Sequence, residues 1–386
     1  MKIAMIGQKG IPNRFGGIET HVAELATRFV SVGHDVVVYA RPWYTPKTVK
    51  TYNGIHIIRL PSIATKHLDA ISHTAISLAH ALLVIRPDVL HIHGVGPALL
   101  AWIPKFLRPH MTVIITVHGL DRLQKKWGPF SRFMLRLGEK AAIVFADTTV
   151  VVSKNLASYF LQTYGKRTLY IPNGMTPKHA CVDNAVLRPL GLSSFEYVAM
   201  VSRLIPHKNA HLLIDAWQKA RTIRPDLFCG IKLAIVGDGA FTSSYVRMLK
   251  RNAKHDDSIV FTGYQSGEVL EALQGGCLFA VHPSNYEGFS ISVLETMGYG
   301  KAVIVSDIPS HCEVIGDCGI TFREGDVDDL AIQILSLLED RLFTASLGHA
   351  ARIRVENEFH WDEISREVLS LYEERFALRN GVLAIE

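Results

Sequence analysis

In His282-Pro283-Ser284-Asn285-Tyr286-Glu287-Gly288-Phe289-Ser290-Ile291-Ser292-Val293-Leu294-Glu295, an apolar run passes through a short turn into a helix. Just upstream, Leu278-Phe279-Ala280-Val281 has the composition of a short buried strand. Pro283 and Gly288 mark the turn, and from about Ser290 the spacing of Ile291, Leu294 and Met297 predicts a helix. One carboxylate, Glu287, falls in the loop and a second, Glu295, falls inside the helix.

That pattern suits a nucleotide sugar. The first N–H groups of a helix have no partner within it and can hold an anion such as a diphosphate. Gly288 lets the backbone approach a ligand closely. A carboxylate accepts two hydroxyls at once, and a ribose or hexose offers vicinal pairs. A plainer reading stands beside this one. Ser292-Val293-Leu294-Glu295 matches a helix capping box, in which Glu295 returns to the Ser292 amide, and Glu287 is then a solvated loop acid.

Outward from this stretch, strands alternate with helices. Tyr197 to Val201, Lys232 to Val236, Ile259 to Thr262 and Ala302 to Val305 read as strands, each followed by a polar or glycine-containing loop. In the first half, Ile3 to Ile6, Val36 to Tyr39, Ile55 to Ile58, Val89 to Ile92, Thr112 to Val117, Val150 to Val152 and Leu169 to Ile171 read the same way. Helices are expected over Glu19 to Val30, from about Lys66 to Ile85, over Gly128 to Phe145 and over Asn209 to Ala220. The tail predicts helices over Asp326 to Leu338, Phe343 to Asn357 and Trp361 to Leu378. Such alternation implies parallel βαβ units and an α/β fold. Pro172-Asn173-Gly174 and the Pro- and Asn-containing segment to about Leu190 have a linker-like composition.

The bulk numbers agree with two domains. At 386 residues the chain is too long for one ordinary core. A formal net charge of +5 is too weak to argue for nucleic acid, though it favours an anionic ligand or surface. The five cysteines contain no Cys-x-x-Cys pair, which points to free thiols in a reducing compartment. No signal peptide and no apolar run of about 18 residues is present, so the expectation is a cytoplasmic protein.

Three further loops carry chemistry. Gly7, Gly10, Gly16 and Gly17 do not spell Gly-x-Gly-x-x-Gly, which disfavours dinucleotide binding, but Gly16-Gly17 sits where helix amides can meet a phosphate or sugar. His118 follows a strand carboxyl end, where open α/β sheets place ligands; His91 and His93 also end a strand and rank second. Arg203 and Lys208, five residues apart on one loop, can clamp a diphosphate, or they are ordinary surface charges.

Glu287 and Glu295, with Gly288, Phe289, Ser290 and Ile291 between them, together resemble the signature of retaining GT-B glycosyltransferases of family 4. Ser290 stands where many members have glycine, and Ser202 stands where glycine usually precedes the arginine. The resemblance implies a GT-B fold, with two Rossmann-like α/β domains facing each other across a cleft and a last helix that crosses back. On that basis the domains are 1–175 for the acceptor, 176–360 for the nucleotide sugar, and 361–386 for the returning helix. It further implies that Glu287 and His118 lie by the reacting sugar and that Glu295 holds the ribose. Arg203 and Lys208 would serve the diphosphate, and Gly16 and Gly17 would face the donor. No bound metal or cofactor is expected, because cations and helix amides stabilise the leaving group. His118 to Glu139, with Lys126-Trp127-Gly128, is similar to a subgroup that builds bacterial surface polysaccharides, rhamnosyltransferases among them. The acceptor would then be a glycan or a lipid-linked glycan. Three rivals stand: a nucleotide-sugar epimerase of similar build, a dehydrogenase, and a non-catalytic sugar-binding subunit.

Residues 125–137 interleave Lys125, Lys126, Arg132 and Arg136 with Trp127, Phe130, Phe133, Met134 and Leu137. This suits peripheral attachment to an anionic surface at the inner face of the membrane. The alternative is an ordinary helix with its apolar stripe in the core.

Overall fold

A computed structural model describes residues 1–13, 15–65, 68–123, 127–178, 183–239 and 242–379. The chain forms two units, Met1–Asn173 with Trp361–Glu386, and Gly174–His360. The chain first leaves unit one within the Pro172-Asn173-Gly174 turn, after Asn173, two residues before the boundary at 175 expected from the resemblance.

Unit one is built on eight strands. They are β1 (Lys2–Ile6), β2 (Asp35–Ala40), β3 (Thr51–Tyr52), β4 (Ile55–Arg59), β5 (Val89–His93), β6 (Thr112–Val117), β7 (Thr148–Val151) and β8 (Leu169–Tyr170). Their order is β3-β4-β2-β1-β5-β6-β7-β8, parallel throughout except for the β3–β4 edge pair. Every residue of β5 and β6 is buried, as expected for central strands covered on both faces.

One of the covering layers joins distant parts of the sequence. Val22, Leu25, Ala26 and Phe29 of the helix Gly17–Ser31 share a core with Trp361, Ile364, Val368, Leu371 and Tyr372 of the helix Trp361–Arg379. The last helix therefore belongs to the first unit, as the resemblance implied, and is not part of a bundle on the second.

Unit two carries β9 (Tyr197–Val201), β10 (Lys232–Val236), β11 (Ile259–Gly263), β12 (Phe279–His282), β13 (Ala302–Ser306) and β14 (Ile320–Phe322). All are parallel, in the order β11-β10-β9-β12-β13-β14. Trp217, fully buried, anchors the helical layer against this sheet, with its ring 4.8 Å from that of Phe228.

Two expectations about helices are corrected. The helix placed over Lys66 to Ile85 runs Asp69–His80 and finishes as a wider π turn, Ala81–Ile85, with Arg86 left-handed at φ 53°; Lys66 lies outside the described residues. In Pro129–Phe145 the buried side is Gly138, Glu139, Ala141 and Ala142, while Phe130, Phe133 and Leu137 are 76%, 58% and 38% exposed. The core-stripe reading of that helix is therefore wrong. Small residues face the core because the backbone comes close: a Cβ on Gly138 would meet the Val95 carbonyl at 2.1 Å.

Candidate active site

In unit two the order of the strands reverses between β9 and β12, and the loops after these two strands carry the candidate residues. Ligands of open α/β sheets bind at such a switch point. The two loops are laced together. Asn209 Nδ2 donates to the Pro283 carbonyl at 3.0 Å, and the Asn285 amide donates to the His207 carbonyl at 3.0 Å. Gly237, at φ 133°, lets the next loop approach, since a Cβ there would meet the Ser202 carbonyl at 1.9 Å.

This lacing brings Lys208 and Glu287 into contact as an ion pair, with side chains 13% and 12% exposed. Burial alone would raise the Glu287 carboxyl. Lys208 and His311, with hydrogen bonds from Lys208 and Ser284, outweigh burial and hold it at about 2. Both residues were expected at the site; that they pair with each other was not. Arg203 lies nearby in sequence but is exposed, with no side-chain ion pair or hydrogen bond among the described residues.

Behind the pair are three buried polar atoms with no hydrogen-bond partner: His282 Nε2, Ser290 Oγ and His311 Nε2. Burial, chiefly, lowers His282 to about 3 and His311 to about 4, so both rings stay neutral. His311 Nδ1 is held 3.0 Å from Ser306 Oγ. Buried unpaired polar atoms cost free energy, and these three, at a strand end (His282), a helix N-cap position (Ser290) and within the short helix Pro309–Ile315 (His311), mark a place for a polar ligand. Neither histidine was singled out from the sequence; His282 stands in the signature stretch itself and could have been.

The helix Ile291–Gly298 has Ser290 at its N-cap position, and the Ser290 side chain makes no capping bond. A capping box centred on Ser292 is therefore excluded, because Ser292 is already the second helical residue. Glu295 instead accepts from Gln274 Nε2 at 3.0 Å. The Phe289 ring packs on Phe359 at 5.9 Å and is 8% exposed, so only its main chain is left to meet a ligand. Gly288, Ser290 and Ile291 stand where the first amides of the helix open.

Unit one presents a second cluster at the carboxyl ends of β1, β5 and β6. Gly16, at φ 114°, caps the helix that opens at Gly17. A Cβ on Gly16 would meet Glu19 Oε2 at 2.0 Å, and Glu19 itself accepts from the Lys9 amide at 2.9 Å. His118 Nε2 lies 3.2 Å from His93 Nδ1, and the His21 and His118 rings are 4.8 Å apart. Burial, chiefly, drives His93 and His118 well below the usual histidine range and His21 to about 4. His91 behind them pairs with Thr116 Oγ1 at 2.7 Å and with the Tyr372 hydroxyl. His21 was missed in the sequence because a single histidine on an apolar helix face reads as core.

Two parallel α/β sheets, each with a switch point, make up the GT-B architecture. Family models agree: Glycosyltransferase Family 4 matches residues 15–179 and Glycosyl transferases group 1 matches residues 189–354. A glycogen synthase of Mycobacterium tuberculosis (strain CDC 1551 / Oshkosh) is 25% identical over 406 aligned residues, covering 96% of this chain and 94% of that protein. The O-antigen chain mannosyltransferase B of Escherichia coli is 26% identical over 187 residues, 48% of each chain. The crystal structure of Anabaena Alr3699/HepE in complex with UDP and glucose superposes with a TM-score of 0.80 at 21% identity, covering 97% of this chain and all of that one. This chain is a glycosyltransferase of the GT-B fold.

Proposed function

We propose that the chain moves a hexosyl group from a nucleotide-sugar donor to a glycan or lipid-linked glycan acceptor, with retention at the anomeric carbon, in the assembly of a bacterial surface polysaccharide. The observation that carries this is the Lys208–Glu287 pair beside the unpaired His282, Ser290 and His311 atoms at an open helix start. Arg203 and Lys208 take the diphosphate, Glu287 the donor sugar and Glu295 the ribose. In unit one, Gly16 and Gly17 offer helix amides and His118 a neutral imidazole to a sugar hydroxyl.

Retention is carried over from the resemblance, and the chemistry of Glu287 supports a route to it without a covalent intermediate. A carboxylate held at about 2 by a lysine is a weak base and a poor nucleophile. The acceptor hydroxyl then attacks on the face from which the diphosphate leaves. Its oxygen bonds the anomeric carbon as the carbon–oxygen bond to phosphate breaks, and the departing phosphate oxygen takes the proton. Arg203, Lys208 and the helix amides stabilise the charge on that group, and no cofactor is required.

The acceptor side is read from the helix Pro129–Phe145. Arg132, Arg136 and Arg122 line a cavity of about 430 Å³ with Leu123, Pro129 and Phe133. Exposed Phe130 and Phe133 beside these cations suit an anionic membrane surface, where a lipid-linked acceptor resides. Lys125 and Lys126 lie outside the described residues, and no described helix is long and apolar enough to cross a membrane.

Melting-temperature shifts with UDP, GDP, dTDP and ADP sugars identify the donor, since a ligand that binds the native state raises apparent stability. Proton NMR of the product then reads the anomeric configuration: inversion would contradict the proposed mechanism. Isomerised sugar from donor alone would favour an epimerase.

A further inference from the structure

We propose that His21, His93 and His118 form a binding site for a divalent cation of the zinc class, and that its occupation blocks sugar transfer. The blocking half rests on the role proposed above for His118; the binding half does not.

The three residues come from three separate elements: the helix Gly17–Ser31, the last position of β5, and the residue following β6. One nitrogen from each can be chosen so that all lie within 4.8 Å of one another. Two nitrogens bound to one tetrahedral zinc at about 2.0–2.1 Å lie about 3.4 Å apart. His93 Nδ1 and His118 Nε2, at 3.2 Å, already have that spacing. With the three ligand atoms all within 4.8 Å of one another, bringing His21 to the same spacing asks for about 1.4 Å at most on each of the two remaining sides.

The second layer is also in place. His21 Nδ1 lies 2.7 Å from Asn173 Oδ1, so that nitrogen carries the proton and donates it. Nε2 is left with its lone pair, buried and without a hydrogen-bond partner. Metal-binding histidines are oriented by such an outer bond. His93 Nε2 is also buried and unpaired, which leaves it free to hold the ring proton when Nδ1 turns to a metal. Burial keeps all three rings neutral, the form that binds metal.

An all-imidazole set selects zinc, cobalt, nickel or copper over magnesium and calcium, which prefer oxygen. Three protein ligands leave one position for water. A cation there takes the His118 lone pair and sets a positive charge where the sugar hydroxyl should bind.

The test uses the full chain without a histidine tag, stripped with chelator, its thiols alkylated because Cys229 and Cys312 are exposed. Equilibrium dialysis against zinc should give one equivalent bound at micromolar free metal. X-ray absorption of that sample should show a nitrogen and oxygen shell with imidazole scattering. His21→Gln and His93→Gln should each weaken binding at least about 10-fold with the far-UV spectrum unchanged, and Asn173→Ala should weaken it about 10-fold. No saturable binding, a shell without imidazole, or full binding in both histidine variants would overturn the site. Zinc should abolish transfer by the wild type, with EDTA restoring it. Transfer that continues with one zinc bound would overturn the block alone. If no nucleotide sugar is turned over at all, the proposed function fails while the dialysis still decides the site.

Discussion

Lys208 and Glu287 are each half of a buried charge pair, so removing either leaves the other stranded. Lys208→Ala should cost about 3 kcal/mol of folding stability, the low end for a broken buried pair because both side chains retain some exposure. The pH dependence should change sign as well. In the wild type Glu287 is depressed from 4.5 to about 2, so its contribution is complete above 4.5 and is lost as pH falls towards 2. Without Lys208, burial dominates and raises the carboxyl, so the deficit of the variant should shrink as pH falls. Melting curves of the two proteins against pH check this; a deficit that stays constant would mean that Glu287 is not the stranded charge. Each residue could be picked from the sequence, Lys208 by its loop and Glu287 by its motif. Their pairing could not, because 79 positions separate them and only the lacing of two loops brings them together.

At the scale of single elements, the helix Pro129–Phe145 reverses the usual assignment of an apolar stripe. Its core face is chosen by close approach at Gly138 and by Glu139, which is fully buried and accepts from Arg122, Tyr159 and Tyr164. Phe130 and Phe133 are left outside. Changing both to Ser should abolish sedimentation with anionic vesicles and leave the melting temperature unchanged; a loss of stability would place the rings in a packed contact. Spacing predicted this helix correctly but not its facing, since the same period serves a core or a membrane. Short helices such as Val95–Ala98 and Pro309–Ile315 were invisible because one or two turns give no period to count. The capping box failed for a related reason: Ser290, which takes the N-cap position without a side-chain capping bond, also precedes an apolar run, and spacing alone cannot rank the two serines.

Across the whole molecule, buried neutral histidines tie folding to pH. His21, His73, His91, His93, His118, His282 and His311 are all lowered, with burial the first cause in each case. The unfolded chain binds protons near 6.5 and the native chain does not, so stability should fall as pH drops from 6.5 towards 4. Calorimetry at pH 5 in buffers of different ionisation enthalpy should show an uptake of several protons on unfolding; uptake near zero would mean that these rings are protonated in the native state. The final helix supplies a second test at this scale. Trp361 is 2% exposed in the core of unit one, so Trp361→Ala should cost about 3–5 kcal/mol there. Tryptophan fluorescence and donor binding during denaturant unfolding would show whether unit two keeps its own transition.

The most direct test of the account is calorimetric titration of the four nucleotide sugars into the wild type and into Arg203→Ala. Arg203 is exposed and unpaired, so its loss should leave melting within about 0.5 kcal/mol of the wild type. One nucleotide sugar should bind the wild type, and Arg203→Ala should weaken it by at least about 30-fold, within the range for a lost charge-assisted contact. Failure of every nucleotide sugar to bind, or equal binding by both proteins, would contradict the account.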